Sequence, residues 1–331
     1  MRTALGIGIL FAGTVFVAPT ATAADHVVVH EQAVSAADQQ AVLAYWTPER
    51  IKALIVPSTA HNPPKAGPDG APWTGENRTV GRLFFTDHGE DASCTATVVD
   101  SANRSTVVTA GHCVNNTDLL GDNNAWNANV LFVPGYHDGQ APYGTFVGRL
   151  GVADATWLRN DQQDAVKYDP YDQAFVVLNP NAQGQRVRDA VGAAQHIGFD
   201  RPGAVDQFQF GYPRASSDPA RDNLPEYTGE RLAFCHGVAK EYPGPPDFPA
   251  GPDQWGPACT MGGGSSGGPR IADFHHGIGT VVGDNTQGGY FTTGTDNVCA
   301  TPDHSGCTRH LVGPQFGGKI TKPLYERAQH S

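Results

Sequence analysis

The sequence predicts an all-β protein of antiparallel barrels or sandwiches, on three observations. The 331 residues include 40 glycines and 25 prolines but only 17% charged residues, which suits strands and loops better than a helical bundle. Short runs rich in β-branched or aromatic residues recur, most of them bounded by turn residues, at 82–86, 94–99, 105–109, 129–133, 145–150, 174–178, 195–199, 207–212, 231–235 and 278–282. No regular helices are interleaved with them, which argues against a doubly wound α/β sheet. The length allows one large or two medium domains with a real core. The net charge of -11 disfavours nucleic acid as a partner, because phosphates would be repelled.

In chain order, the first element is an export signal. Arg2 gives a minimal basic start, residues 4–17 are apolar, and Ala21-Thr22-Ala23 offers a small-x-small cleavage site before Ala24. The apolar run is too short to span a bilayer comfortably, and no other is long enough. A secreted protein without stable membrane association is expected. Next, Ser35-Ala36-Ala37-Asp38 reads as a capping box ahead of a helix reaching about Trp46. Thr47-Pro48 reads as the N-cap and first residue of a second helix. Residues 57–77, rich in Pro, Gly and polar side chains, read as an exposed linker. The strand runs follow, and 319–329 reads as a closing helix despite Pro323.

Export places the six cysteines in an oxidising compartment, where three disulfides are expected. We read them as paired in sequence order: Cys94–Cys113, Cys235–Cys259 and Cys299–Cys307. His304 and His310 flank Cys307, but no tight Cys-x-x-Cys spacing supports a metal site, so no metal and no cofactor are expected.

Two segments carry chemistry. In Gly262-Gly263-Gly264-Ser265-Ser266-Gly267-Gly268-Pro269, a serine lies among glycines that let backbone amides face a substrate. Ser266 is the candidate nucleophile, and the Gly264 and Ser266 amides are the candidate oxyanion hole. Ser265 is the rival. Ser266 is preferred because it directly precedes Gly267-Gly268-Pro269 and has Gly264 two residues before it. In Thr109-Ala110-Gly111-His112-Cys113, His112 ends an apolar strand and is the candidate general base. Asp172 stands at the mouth of the apolar run 174–178 and is the candidate orienting acid, with Asp169 and Asp164 as alternatives. Gly264-Ser265-Ser266-Gly267-Gly268 also fits the Gly-x-Ser-x-Gly elbow of α/β-hydrolases. That fold needs a helix after the serine and the acid and histidine downstream, whereas here the order is His, Asp, Ser.

Thr-Ala-Gly-His-Cys together with Gly-x-Ser-Gly-Gly-Pro resembles the chymotrypsin-like serine peptidases. Within them the chain looks similar to the secreted V8-like (glutamyl endopeptidase-like) branch, on residues 80–85, 132–136, 141–144 and 210–213. The resemblance covers about 79–328. It implies two six-stranded antiparallel β-barrels, first about 79–185 and second about 190–315, with the C-terminal helix at about 319–329. His112 and Asp172 would come from the first barrel and Ser266 from the second, facing a cleft that takes protein or peptide substrates. The peptidase domain would be 79–331 and a monomer. Residues 1–23 would be the signal and 24–78 a pro-segment and linker, cut near Arg78. The chain departs from the pattern of many trypsin-like enzymes at Ser265, where an aspartate pairs with the new N-terminus after activation. The 259–266 stretch is also longer than theirs. V8-like enzymes often prefer acidic residues before the cut, using histidine and hydroxyl groups. His276 and Asn285-Thr286 are loose candidates for such contacts, and nearby Asp284 would oppose them. An inactive binding protein on the same fold and an α/β-hydrolase-type esterase are the competing readings.

Overall fold

The structure is a computed structural model that describes residues 26–54, 70–75, 77–116, 126–159, 164–214 and 227–331. The export signal and most of the 57–77 linker lie outside the described residues. The chain forms β1 (Val27–Glu31), α1 (Ala36–Tyr45), α2 (Pro48–Ala53), β2 (Ala71–Pro72), β3 (Val80–Asp87), β4 (Glu90–Val98), β5 (Thr106–Thr109), β6 (Ala128–Pro134), β7 (Phe146–Asp154), α3 (Ala165–Tyr168) and β8 (Ala174–Leu178). It continues with α4 (Val187–Val191), β9 (His196–Ile197), β10 (Asp206–Gly211), β11 (Ala233–Val238), β12 (Lys240–Glu241), β13 (Gln254–Gly256), β14 (Pro269–His275), β15 (Ile278–Asp284), β16 (Gln287–Thr292), β17 (Cys307–Pro314) and α5 (Thr321–Gln329).

The first half is a closed six-stranded antiparallel barrel. Its strands run β7-β6-β3-β4-β5-β8, and β7 pairs with β8 to close the ring. β1 adds a seventh strand on the free edge of β7. Apolar residues of β3, β4, β6, β7 and β8 fill the interior, among them Leu83, Val98, Phe132, Phe146 and Val176. The second half consists of a six-stranded sheet, β2-β11-β10-β14-β15-β9, and a four-stranded sheet, β12-β13-β17-β16. An isolated bridge between Gly283 and Gln315 links the two sheets.

A continuous core joins the halves, with Val108 and Phe175 of the barrel in one cluster with Phe210, Ile271, Val281 and Phe316. α5 seals this seam. Leu324 and Ala328 are buried, and the Tyr325 hydroxyl donates to the Asp100 carbonyl at 2.6 Å. Pro323 falls in the first turn of α5, where a missing N–H costs little.

The helix starts follow from their caps. Ser35 accepts the Asp38 amide at 3.1 Å, and the Asp38 carboxylate reaches back to the Ser35 amide at 3.2 Å. Thr47 caps α2 with Pro48 at its first position. Several strands carry no such local signal. β14 and β17 bury Arg270 and Arg309, which interrupt the apolar pattern. Their guanidiniums donate to main-chain oxygens: Arg270 uses Nε and Nη2 on the carbonyls of Asp284, Gly313 and Pro314, with Nη1 unpartnered among the described residues, and Arg309 donates to those of Cys259 and Met261. Residues 70–75 are not simply linker. β2 pairs with β11, and Trp73 packs among Phe208, Phe210, Phe234 and Phe274.

Candidate active site

Strand register brings two of the sequence candidates together. β5 and β8 are antiparallel neighbours with Thr109 opposite Ala174. Three residues past one end and two before the other, His112 and Asp172 therefore meet at the same rim of the barrel. The Asp172 carboxylate accepts the His112 backbone amide at 2.8 Å and lies 2.9 and 3.1 Å from Nδ1. A proton on Nδ1 satisfies this pair and leaves Nε2 as the basic nitrogen. Asp172 is 9% exposed, so its carboxylate is held by these bonds in place of water. Asn127 donates to the His112 carbonyl at 3.1 Å, and the Cys94–Cys113 disulfide ties the turn to β4.

The alternative acids do other work. Asp169 accepts from the Gly251 amide and the Gln287 side chain, both in the second half, and burial raises its pKa. Asp164 is exposed and accepts the Lys167 amide at the start of α3.

The serine loop is shaped by its backbone. Ser265 is fully buried, and its hydroxyl donates to the Gly262 carbonyl at 2.5 Å. Ser266 is half-buried, and its carbonyl accepts the Thr95 amide from β4 at 2.8 Å. Thr95 also donates its hydroxyl to the Gly264 carbonyl at 3.0 Å, so one barrel residue grips both sides of the serine pair. Gly264 has φ +92°, and a Cβ there would lie 2.7 Å from the Tyr212 carbonyl oxygen. Among the described residues, neither the Gly264 nor the Ser266 amide donates a hydrogen bond. Gly267 packs so closely on Thr109 and Ala110 that a side chain there would collide with them. That contact puts Ser266 beside the strand end leading to His112. On the far side, Asn285 clamps the loop: its carbonyl accepts the Gly267 amide, and its own amide and side chain donate to the Gly268 carbonyl.

No family model matches the chain, and no curated protein matches it. Solved structures do. The protease Anisep from Arthrobacter nicotinovorans is 29% identical, with a TM-score of 0.59, over 78% of this chain and 99% of its own. The thermostable serine protease AL20 from an extremophilic microorganism is 28% identical, with a TM-score of 0.59, over 77% of this chain and 98% of its own. The chain belongs to the chymotrypsin-like serine peptidase superfamily. A Glu endopeptidase shares the fold at 16% identity and a TM-score of 0.53, over 79% of this chain and 98% of its own.

Within this peptidase fold the remaining candidates separate. His276 occupies the turn between β14 and β15, whereas the Pro269–Asp284 pair at the other end of that ladder adjoins the serine loop. Six residues of strand put His276 roughly 20 Å from that end, too far to line a pocket at Ser266. The side chain of Asn285 is committed to the loop. Asp284 is fully buried, and neither carboxyl oxygen has a hydrogen-bond partner among the described residues. Burial pushes its pKa well up, the Asp172 charge adds to this, and Arg270 opposes it. Cys94, Cys113 and His112 are grouped as a metal site would be, but both sulfurs are in the disulfide and offer no thiolate. The other two disulfides are Cys235–Cys259 and Cys299–Cys307. Among the described residues no helix is long and apolar enough to cross a membrane.

Sequence reasoning missed Thr95 and Asn127, and it singled out Asn285 for substrate contacts rather than for holding the serine loop. Each is an unremarkable polar residue in a strand context, and only the fold gives it a partner. Thr95 sits next to Cys94, and that adjacency to a cysteine paired with the histidine turn was the one available clue.

Proposed function

We infer that the chain is a secreted serine endopeptidase of the V8-like branch, hydrolysing peptide bonds through an acyl-enzyme. His112 Nε2 takes the proton of Ser266 Oγ as the oxygen attacks the scissile carbonyl. Asp172 holds the imidazole in the required tautomer and stabilises its charged form. The amides of Gly264 and Ser266 donate hydrogen bonds to the developing oxyanion. The protonated His112 then gives its proton to the leaving amine, and a water deprotonated by His112 releases the acyl group. The observation carrying this reading is the His112–Asp172 pair at the barrel rim that Gly267 contacts, beside two amides that have no partner among the described residues.

Residues 1–23 direct export, and 24–78 are a pro-segment and linker cut near Arg78. The mature enzyme is an extracellular monomer acting on protein or peptide substrates, without cofactor. Ser265 cannot form the activating ion pair of many trypsin-like enzymes, and its buried hydroxyl on Gly262 supports a loop shaped without one.

The test is covalent labelling with a fluorophosphonate, followed by mapping of the adduct by mass spectrometry. A single adduct on Ser266, absent in Ser266→Ala, is expected. Ser266→Ala should also lower turnover by about 10⁶-fold. Folded, processed protein that takes no label would instead favour a binding protein on the peptidase fold.

A further inference from the structure

We propose that residues 26–54 are a retained clamp on the first barrel rather than a plug in the cleft. β1 pairs with β7 over five residues, from Val27 opposite Asp154 to Glu31 opposite Leu150. Hydrogen bonds from Gln32 to Arg149 and from Ala33 to Gly148 extend the ladder. Without β1, this edge of β7 would present a row of unpaired backbone groups, which a stable barrel avoids. Strand addition of this kind is how many proteins capture an extended peptide.

The helices add apolar burial. Val42, Trp46 and Leu54 are buried in the same core cluster as Phe84, Leu131 and Val147. Trp46 packs on Phe84 and donates its indole N–H to the Asn129 carbonyl at 2.6 Å. Arg50 and the Tyr45 hydroxyl both bind the Asp91 carboxylate, at 2.8 and 2.6 Å. A buried tryptophan in such a setting is a strong anchor.

The segment also leaves the site accessible. With it in place the His112 side chain is 23% exposed and Ser266 is half-buried. A link from it toward the site is supportive. His30 stacks on Trp126 at 4.6 Å, and the next residue, Asn127, holds the His112 carbonyl. Release of the segment should therefore loosen the histidine turn. Activity should fall or hold, whereas removal of an inhibitor would raise it.

The experiment uses the full chain with the recognition sequence of an unrelated, site-specific protease placed between residues 55 and 69. After cutting, the two pieces should elute together on gel filtration, with peptidase activity within about twofold of the uncut protein. Trp46→Ala in the same background should let the N-terminal piece dissociate and lower the melting temperature by about 5 °C or more. Release on cutting with a tenfold rise in activity would overturn the clamp and make the segment an inhibitor. Release with unchanged melting and activity would overturn it as well. Only the activity readout rests on the peptidase reading. Co-elution and melting report on the clamp alone, so a protein that is inactive throughout yet stays assembled supports the clamp and counts against the peptidase.

Discussion

The two sides of the site are held in different ways. On the histidine side, polar side chains do the holding: Asp172 carries the imidazole and the amide of His112, and Asn127 carries its carbonyl. On the serine side, the loop takes its shape chiefly from backbone conformation, with Gly264 at φ +92° and main-chain bonds from Thr95 and Asn285, to which the side chains of Thr95, Ser265 and Asn285 add bonds to loop carbonyls. A polar group removed from the first side should therefore disturb chemistry without much change of shape. A Cβ added to the second should disturb shape first and chemistry through it.

The sharpest test of the histidine side is Asp172→Asn. The isosteric amide keeps the packing but cannot hold the proton on Nδ1, so the imidazole presents the wrong tautomer. We expect a loss of about 10⁴-fold in kcat, with KM and melting temperature little changed. Steady-state kinetics on a peptide substrate decides it. A loss below tenfold would mean that another group orients His112, and the contrast between the two sides would collapse.

The matching test of the serine side is Gly264→Ala. The added methyl group meets the Tyr212 carbonyl in a backbone region that L-residues rarely adopt. Relief requires the peptide to rotate, which takes the Gly264 amide away from the oxyanion position. A fall of about 10²–10³ in kcat is expected, together with lost stability of about 1–3 kcal/mol. Unlike Asp172→Asn, this variant should lose activity and melting temperature together.

Ser265→Ala separates the neighbouring serines. Its hydroxyl is buried and donates to the Gly262 carbonyl. Removing it leaves that carbonyl short of one donor, at a cost of about 1 kcal/mol. Activity should stay within about tenfold of the parent, since an effect on rate acts only through loop shape. Fluorophosphonate labelling of Ser265→Ala should remain on Ser266.

The contrast also explains what was legible in the sequence. The histidine and serine motifs are local, because a strand end, a cysteine and a run of glycines are contiguous in the chain. Their supports are not. Asn127 and Asn285 act across 15 and 17 residues of chain, and nothing near them announces the partner. The strand runs left barrel or sandwich open and only the family resemblance implied a closed barrel, whereas α1 followed from its capping box. β17 stayed hidden because Arg309 and His310 lie buried in its middle, satisfied by carbonyls that only the folded sheet supplies. β1 was not read from the sequence: its pairing depends on a free barrel edge more than a hundred residues downstream.

The smallest effect concerns Asp284, which lies between the two sides. Its carboxyl is buried without a hydrogen-bond partner among the described residues, and it feels the Asp172 charge. Its pKa in the folded protein is raised well above the ordinary 3.8, so the fold retains a proton that the unfolded chain releases. The stability this proton gives is present in acid and is lost as pH rises from about 4 through the raised folded value. Asp284→Asn keeps the shape and has no proton to lose. Calorimetry from about pH 4 upward should show the variant's advantage over the parent growing with pH, because only the parent's stability falls. A variant that is less stable than the parent by the same amount at every pH would instead mean that the native carboxylate is ionised and Arg270 is its counter-charge. The serine loop would then rest on an ion pair as well as on its glycines, and the division between a side-chain-held histidine and a backbone-held serine would need redrawing at this residue.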